Sequence, residues 1–372
     1  MKIAFIHYHL KTGGITTVLK QQMGAISDRW QTLVLTGLSP ETGFPARIIH
    51  IPELAYSSQY KRQFDPNDVA QAILEAIHTS FNGPCDVLHV HNPTLAKNNQ
   101  YLKILKSLQA KGVNLLLQIH DFAEDGRPQA YFPEAYPADC HYSVINERDY
   151  DIMLKAGLKP SGLHLLANTV THHRMTSSPI DLPNPMTLYP VRAIRRKNIG
   201  EAILLSLFFQ NEGTLSITLP PNSAADIRSY KDWKIFVKDR NLKVGFDRGL
   251  QNDFETNVMS ADSLITTSIT EGFGFSFLEP WLFGKLLWGR RLPDICDDFE
   301  KKGIRLQHLY DRLLVPVDWF SLHRFRIKWT NCVRYACRLF NHSVDNALIR
   351  QAVSYTHLTL PTNVQQCRAR GA

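Results

Sequence analysis

Long apolar runs are missing from this 372-residue chain. The longest, such as Ile203-Leu-Leu-Ser-Leu-Phe-Phe209, fall far short of the ~20 residues a membrane-spanning helix needs. A signal-peptide pattern is missing too. Met1-Lys2 runs straight into the strand-like Ile3-Ala-Phe-Ile6, which predicts a cytoplasmic protein. Cysteine is sparse, and no pair has metal-ligand spacing, so Cys85, Cys140, Cys296, Cys332 and Cys337 read as reduced core thiols. No Gly-x-Gly-x-x-Gly follows the first strand of either half, which disfavours a dinucleotide oxidoreductase. Short-period repeats and low-complexity tracts are absent. The formal charge of +8 is too diffuse to indicate nucleic acid. It suits anionic, phosphorylated substrates, and a weak peripheral contact with an anionic membrane surface through Lys103, Lys106 and Lys111.

The end of the chain stands apart. Val353-Ser-Tyr-Thr-His-Leu-Thr-Leu-Pro-Thr362 is the translation of GTC TCT TAT ACA CAT CTG ACG CTG CCG ACG, a transposase-based sequencing adapter. Residues 353–372 are therefore expected to be non-native, with native sequence continuing past Ala352. No function is read into Cys367, and Arg368 and Arg370 come off the charge count.

With 44% hydrophobic residues the chain is globular, and its length suits two domains of ~150–200 residues each. Strands and helices alternate as in parallel sheets covered on both faces. Strands are expected at Lys2 to Tyr8, Thr32 to Thr36, Arg47 to Ile51, Asp86 to His91, Asn114 to His120 and Cys140 to Ile145. Helices are expected at Thr16 to Ile26, Pro66 to Thr79 and Thr94 to Ala110. The Pro- and Ser-rich stretch before Met186 reads as a linker, and the alternation then restarts. The predicted organisation is α/β: a Rossmann-like domain over 1–176, a linker over 177–186, a second Rossmann-like domain over 187–330 and a partial helical segment over 331–352.

Four constellations carry the chemistry. Glu271-Gly-Phe-Gly-Phe-Ser-Phe-Leu-Glu279 places two carboxylates across a glycine-bearing turn between a strand, Asp262 to Ser268, and a helix, Ser276 to Phe283. Gly272, Phe273, Gly274 and Phe275 would present backbone N–H groups to a diphosphate there, and Glu279 would take both ribose hydroxyls. Lys11-Thr-Gly13-Gly14 forms a second glycine-bearing turn, directly after the first strand. His120, in Gln118-Ile-His120-Asp121, falls at a strand's carboxyl end, where open parallel sheets bind ligands. His89 and His91 share one face of the neighbouring strand without a third ligand and read as core or cleft-wall residues. Finally, Arg192 and Lys197 in Tyr189-Pro-Val-Arg192-Ala-Ile-Arg-Arg-Lys197-Asn-Ile-Gly200 are fixed cations for a departing diphosphate. Arg195 and Arg196 read as a solvated basic turn.

Together these motifs resemble the donor-site signature of the retaining family 4 glycosyltransferases, over most of residues 1–350. The resemblance implies a GT-B fold, two Rossmann-like domains with a cleft between them, the first holding the acceptor and the second the donor. It implies retaining transfer of a hexose from a nucleotide-diphosphate sugar to a hydroxyl acceptor, with no metal or other cofactor. Arg192, Lys197, the Gly272 to Phe275 turn, Glu271 and Glu279 would bind the donor, Gly13 and Gly14 would contact phosphate or acceptor, and His120 would contact the sugar. The loop carrying Glu124 and Arg127 is the candidate for acceptor choice. Two departures are visible: Pro280, Trp281 and Phe283 replace the usual small residues, and Asn198 stands where a glycine normally follows the lysine. A GT-B-type nucleotide-sugar epimerase and a non-catalytic nucleotide-sugar-binding protein stay open as alternatives.

Overall fold

The structure, a computed structural model, describes residues 1–349 apart from 12, 27–29, 39–43, 45, 60–62, 123–127, 171–177, 222–223 and 346. Two compact units divide between Thr169 and Val170. Each is built on its own parallel sheet.

In the first unit, β1 (Lys2–His7), β2 (Gln31–Thr36), β3 (Ile48–His50), β4 (Val87–His91), β5 (Leu115–Gln118), β6 (His141–Val144) and β7 (Leu163–Leu165) are ordered β3-β2-β1-β4-β5-β6-β7. The helices are α1 (Gly14–Ala25), α2 (Pro66–Phe81), α3 (Tyr101–Ala110) and α4 (Glu147–Lys155). β1 is apolar on both faces because both are covered. Ala4 and Ile6 join one core with Leu33 and Leu88, whereas Ile3 and Phe5 pack with Leu19 and Val34 on the other side. Local signals set the helix ends: the Asp65 side chain accepts from Asn67 N, Pro66 opens α2, and Asn82 closes it in the left-handed region at φ 53. The helix expected from Thr94 begins only at Tyr101. The buried Asn98 explains the difference, since its amide donates to the carbonyls of Glu53 and Ala55 and its oxygen accepts from Gln100 N. Those side-chain bonds outcompete the helical pattern. On α3 and its cap, Lys103 and Lys111 are exposed and Lys106 is half-buried.

The second unit contains β8 (Met186–Arg192), α5 (Ile199–Ser206), β9 (Thr214–Leu219), α6 (Ala224–Asp239), β10 (Val244–Gly245), α7 (Phe254–Met259), β11 (Ser263–Thr266), α8 (Glu279–Leu282), β12 (Leu286–Gly289), α9 (Pro293–Glu300) and α10 (Leu322–Leu339). Its strands are ordered β10-β9-β8-β11-β12. Pro190 lies inside the central strand β8, where a residue without N–H breaks a ladder. The chain answers with a bulge: Tyr189 pairs with Ile217 but Arg192 with Leu219, so two residues of β8 face one of β9. The continuous helix expected from Ser276 to Phe283 is instead a 3-10 turn, Phe275–Phe277, followed by the one-turn α8. Pro280 is the cause, since proline is tolerated only in a helix's first turn. Glu279 accordingly opens α8 rather than lying a turn inside it, and so short a helix supplies little dipole for a phosphate. Among the described cysteines Cys296 is buried, but Cys332 is exposed, against the expectation of a core thiol.

Gly289, at the end of β12, has φ +121, and a Cβ there would lie 2.1 Å from the Thr266 carbonyl oxygen. Gly303 also has a positive φ, +92, but opens onto free space. Gly289→Ala is therefore expected to cost more than about 3 kcal/mol, through forced separation of two strands. Gly303→Ala should cost about 1 kcal/mol, the backbone term alone. Urea denaturation of the two variants checks this, and equal losses would refute the close approach.

Candidate functional site

In both units the strand order reverses once, between β1 and β4 in the first and between β8 and β11 in the second. Beyond the carboxyl ends of such strands a parallel sheet leaves a crevice for ligands. The candidate residues gather at these two places.

In the second unit, Lys197 ends a 3-10 turn, Arg195–Lys197, that follows β8, and Glu271 follows β11. The ammonium of Lys197 and Oε1 of Glu271 form a direct ion pair, with side chains only 15% and 8% exposed. Both loops are held by one phenol. The fully buried Tyr189 donates its hydroxyl to the Lys197 carbonyl at 2.6 Å, accepts from Thr267 N at 3.2 Å and meets Ser268 Oγ at 3.1 Å. Thr267 Oγ1 in turn donates to the Asn198 carbonyl at 3.0 Å. Asn198 has φ 48, the left-handed region that asparagine tolerates best after glycine, which accounts for its place in this turn. Its amide donates to Glu201 at 2.9 Å. Glu201 also takes a bidentate bond from Arg290, at 2.9 and 2.6 Å, and the Tyr310 hydroxyl at 2.6 Å. This buried carboxylate is thus fully satisfied, and it locks the start of α5 to the end of β12.

Burial lowers the Lys197 ammonium, and Glu271 opposes the shift. Burial raises the Glu271 carboxyl, but Lys197 and then Arg196 more than offset it and hold it below the usual carboxylate range. Glu279 joins the cluster electrostatically: burial pushes it up to about 7, with Lys197 pulling the other way. From the sequence Arg196 reads as part of a solvated turn. It is half-buried and acts on both members of the ion pair, which no spacing rule could have shown. Arg192 is half-buried beyond the bulge, and its Nη1 donates to the Pro220 carbonyl at 2.8 Å. Phe273 packs edge-on against Phe275 and Phe299, at 5.0 and 5.4 Å. Gly274 has φ +90, and a Cβ there would meet Ile295 and Phe277 at 2.8 Å, so tight packing as well as backbone conformation requires glycine. Gly272 is half-buried beside Glu271.

In the first unit, Gly13 and Gly14 begin α1. Gly13 is extended, at φ 168, so space rather than backbone strain is what a glycine provides there. His120 follows β5 and is buried, with Nε2 2.9 Å from Nδ1 of His91. His89, His91 and His120 stack, with ring centroids 4.5 and 5.1 Å apart, and His7 lies edge-on to His91 at 6.4 Å. His89 Nε2 lies 2.8 Å from Gln118 Oε1. Burial drives His7 and His120 down to about 3 and His89 to about 4, and holds His91 well below the ordinary value. All four rings are neutral hydrogen-bonding groups at neutral pH. Glu124 and Arg127 lie outside the described residues, as does the 353–372 tail. Among the described residues no cluster of three or more His, Cys, Asp or Glu is arranged to hold a metal ion, and no helix is long and apolar enough to cross a membrane.

Two parallel-sheet α/β domains of this kind are the GT-B fold of the glycosyltransferases, and solved structures show the likeness directly. Anabaena HepE in complex with UDP-glucose matches with a TM-score of 0.60 and 14% identity, over 95% of this chain and 98% of that one. Sucrose-phosphate synthase from Thermosynechococcus elongatus matches with a TM-score of 0.55 and 16% identity, over 95% and 94%. At such identities the likeness is one of fold. By sequence, the mannosylglucosyl-3-phosphoglycerate synthase of Petrotoga mobilis is 26% identical over 380 residues, 87% of this chain and 71% of that protein. No protein-family model matches the chain.

The buried histidines predict acid sensitivity. Folded, each ring stays neutral far below the ordinary value of 6.5, whereas unfolding exposes it to protonation. The unfolded state therefore binds more protons below about pH 6.5, and stability is full above that pH and falls beneath it. Each ring contributes a slope of about 1.4 kcal/mol per pH unit, and the four together about 5 kcal/mol per unit near pH 5. Urea titrations from pH 7 to 4.5 should show this slope, reduced by about one proton in His89→Phe. A flat profile would mean that the rings are already charged in the folded unit.

Proposed function

We propose that this chain is a retaining glycosyltransferase that moves a hexose from a nucleoside-diphosphate sugar to a hydroxyl acceptor without a metal. The observation that carries the reading is the buried Lys197–Glu271 pair, with Glu279 and Arg196 around it, at the switch point of the second sheet. A departing nucleoside diphosphate carries concentrated negative charge, and Lys197, Arg196 and Arg192 are the cations that would stabilise it. Glu271 keeps Lys197 charged in a dry site and, once the diphosphate takes over the ammonium, is available to a sugar hydroxyl. Glu279 would accept both ribose hydroxyls, and the turn from Gly272 to Phe275 would face the phosphates and sugar. The bond from the anomeric carbon to phosphate oxygen breaks, the acceptor oxygen bonds to that carbon on the same face, and its proton passes to the departing phosphate. His120 is the first unit's neutral hydrogen-bonding group for a sugar hydroxyl, and Gly13 and Gly14 leave room beside α1. The complex of HepE with UDP-glucose supports the donor class, and the Petrotoga relative, named for a phosphoglycerate glycoside, bears on the acceptor. A small phosphorylated or carboxylic acid bearing sugar hydroxyls is accordingly the first acceptor to screen.

Thermal shift against UDP-, GDP- and ADP-sugars should select one donor, with the shift lost in Lys197→Ala. Turnover with an acceptor in the presence of EDTA tests metal independence, and the anomeric configuration of the product tests retention. Donor hydrolysis or epimerisation without acceptor would count against transfer, and binding without turnover would indicate a non-catalytic protein.

Glu279 gives a sharper test. Only its ionised form accepts two hydroxyl protons, and burial places its titration at about 7. Affinity for the donor should therefore rise roughly tenfold between pH 6 and pH 8, and Glu279→Gln should bind weakly with no such rise. Calorimetry at the two pH values decides it, and an equal slope in the variant would remove Glu279 from the nucleotide site.

A further inference from the structure

The histidine stack in the first unit holds more information than burial alone. Nδ1 of His91 and Nε2 of His120 are 2.9 Å apart, so one proton lies between them. Two arrangements are possible. If His120 donated from Nε2, neutral His91 would carry its own proton on Nε2, an atom sealed from solvent with no hydrogen-bond partner. A buried N–H left without an acceptor costs the desolvation of that donor, and orphaned donors are rarer in folded proteins than under-satisfied acceptors. The proton therefore belongs to His91 Nδ1, and His120 Nε2 accepts it. Neutral His120 must then carry its single proton on Nδ1. That atom has no partner among the described residues and, unlike His91 Nε2, is not one of the sealed ones.

We propose that His91 is a positioning residue: by donating to Nε2 of His120 it fixes the tautomer in which Nδ1–H of His120 is a donor, available to a ligand oxygen. The ligand atom that matches is a hydroxyl or carbonyl oxygen with a free lone pair, as on a sugar, and not a cation, which would need a bare nitrogen.

The surroundings hold this arrangement. His91 and His120 are near parallel, at 16°, and His89 stacks on His91 at 24° with Phe5 5.2 Å from His89. His7 hydrogen-bonds the backbone of His91, and its Nδ1 is again a sealed, unpartnered atom, so the same rule puts its proton on the other nitrogen. The groups that act electrostatically on His120 are His7 and His89, both themselves driven neutral by burial. Asn92 Oδ1 accepts weakly from the backbone N–H of His120, at 3.4 Å, which leaves the ring unaffected.

The tautomer can be read without a substrate. Long-range ¹H–¹⁵N correlations on the uniformly ¹⁵N-labelled chain at pH 7.5, with His120 assigned by its loss in His120→Gln, distinguish Nδ1–H from Nε2–H. The expected result is Nδ1–H in the wild type. His91→Phe keeps a ring in the stack and removes the donor, so His120 should revert to Nε2–H, the form imidazole prefers on its own. His91→Asn, whose amide can donate from near the place of Nδ1, should retain Nδ1–H. Nε2–H in the wild type, or Nδ1–H persisting in His91→Phe, would overturn the assignment. Should His91→Phe not fold, the wild-type spectrum alone decides. The catalytic consequence rests on the proposed transfer: kcat should fall about tenfold in His91→Phe with donor KM kept, and return in His91→Asn. A tautomer switch with unchanged kcat would overturn the positioning role. Absence of turnover with every donor would instead count against the transferase reading and leave the tautomer standing.

Discussion

A lysine ammonium and a glutamate carboxylate share a nearly dry site in the second unit, and the surrounding chain is arranged to make that tolerable. Removing two charges from water costs several kcal/mol each unless geometry and further hydrogen bonds compensate. Here the charges answer each other directly, with the Ser268 side chain hydrogen-bonded to Glu271, and the backbone around the pair is held in place. One phenol, Tyr189, ties the carbonyl of Lys197 to the strand end that leads to Glu271, and Thr267 doubles the link through Asn198. The second buried pair, Arg290 with Glu201, then fixes the helix that starts just after Asn198. Lys197 and Glu201 are thus tied into the fold by hydrogen bonds that exist before a ligand arrives.

Strand order explains why these residues can meet at all. Lys197 and Glu271 are 74 residues apart in the chain, but β8 and β11 are neighbours in the sheet, and both side chains leave from their carboxyl ends. The same relation brings β1 beside β4 in the first unit, and with it His7 beside His91. The two sheets reach the same topological solution with opposite chemistry: one switch point gathers charge, the other gathers neutral imidazole.

Much of this was legible in the sequence, for a physical reason. A strand covered on both faces is a nearly continuous apolar run, so β1, β4, β5 and β8 stand out, and Asp65-Pro66 announces a helix start. Glu271, Glu279, Lys197 and His120 could be singled out because their residue types follow apolar strands at glycine- or cation-bearing turns. What sequence spacing could not show was pairing across the sheet, such as Glu271 with Lys197 or His91 with His120. Side-chain competition with the backbone was equally hidden at Asn98, which delays α3. The break at Pro280 was readable in principle, since proline confined to a first turn forces a helix to restart there. Arg196 is hidden in the sequence because a run of basic residues looks solvated, whereas the folded turn half-buries it beside the ion pair.

The outermost strands have a consequence of their own. β3 and β7, which border the first sheet, are three residues each, and β10, on one border of the second, is two. β12, on the opposite border, runs four residues and is followed by a bridge from Arg290 to Tyr310. An unpaired edge is a template for a foreign strand, and its danger grows with its length. Edges this short offer few open N–H and C=O groups in a row, which disfavours edge-to-edge pairing of these sheets between copies of the chain.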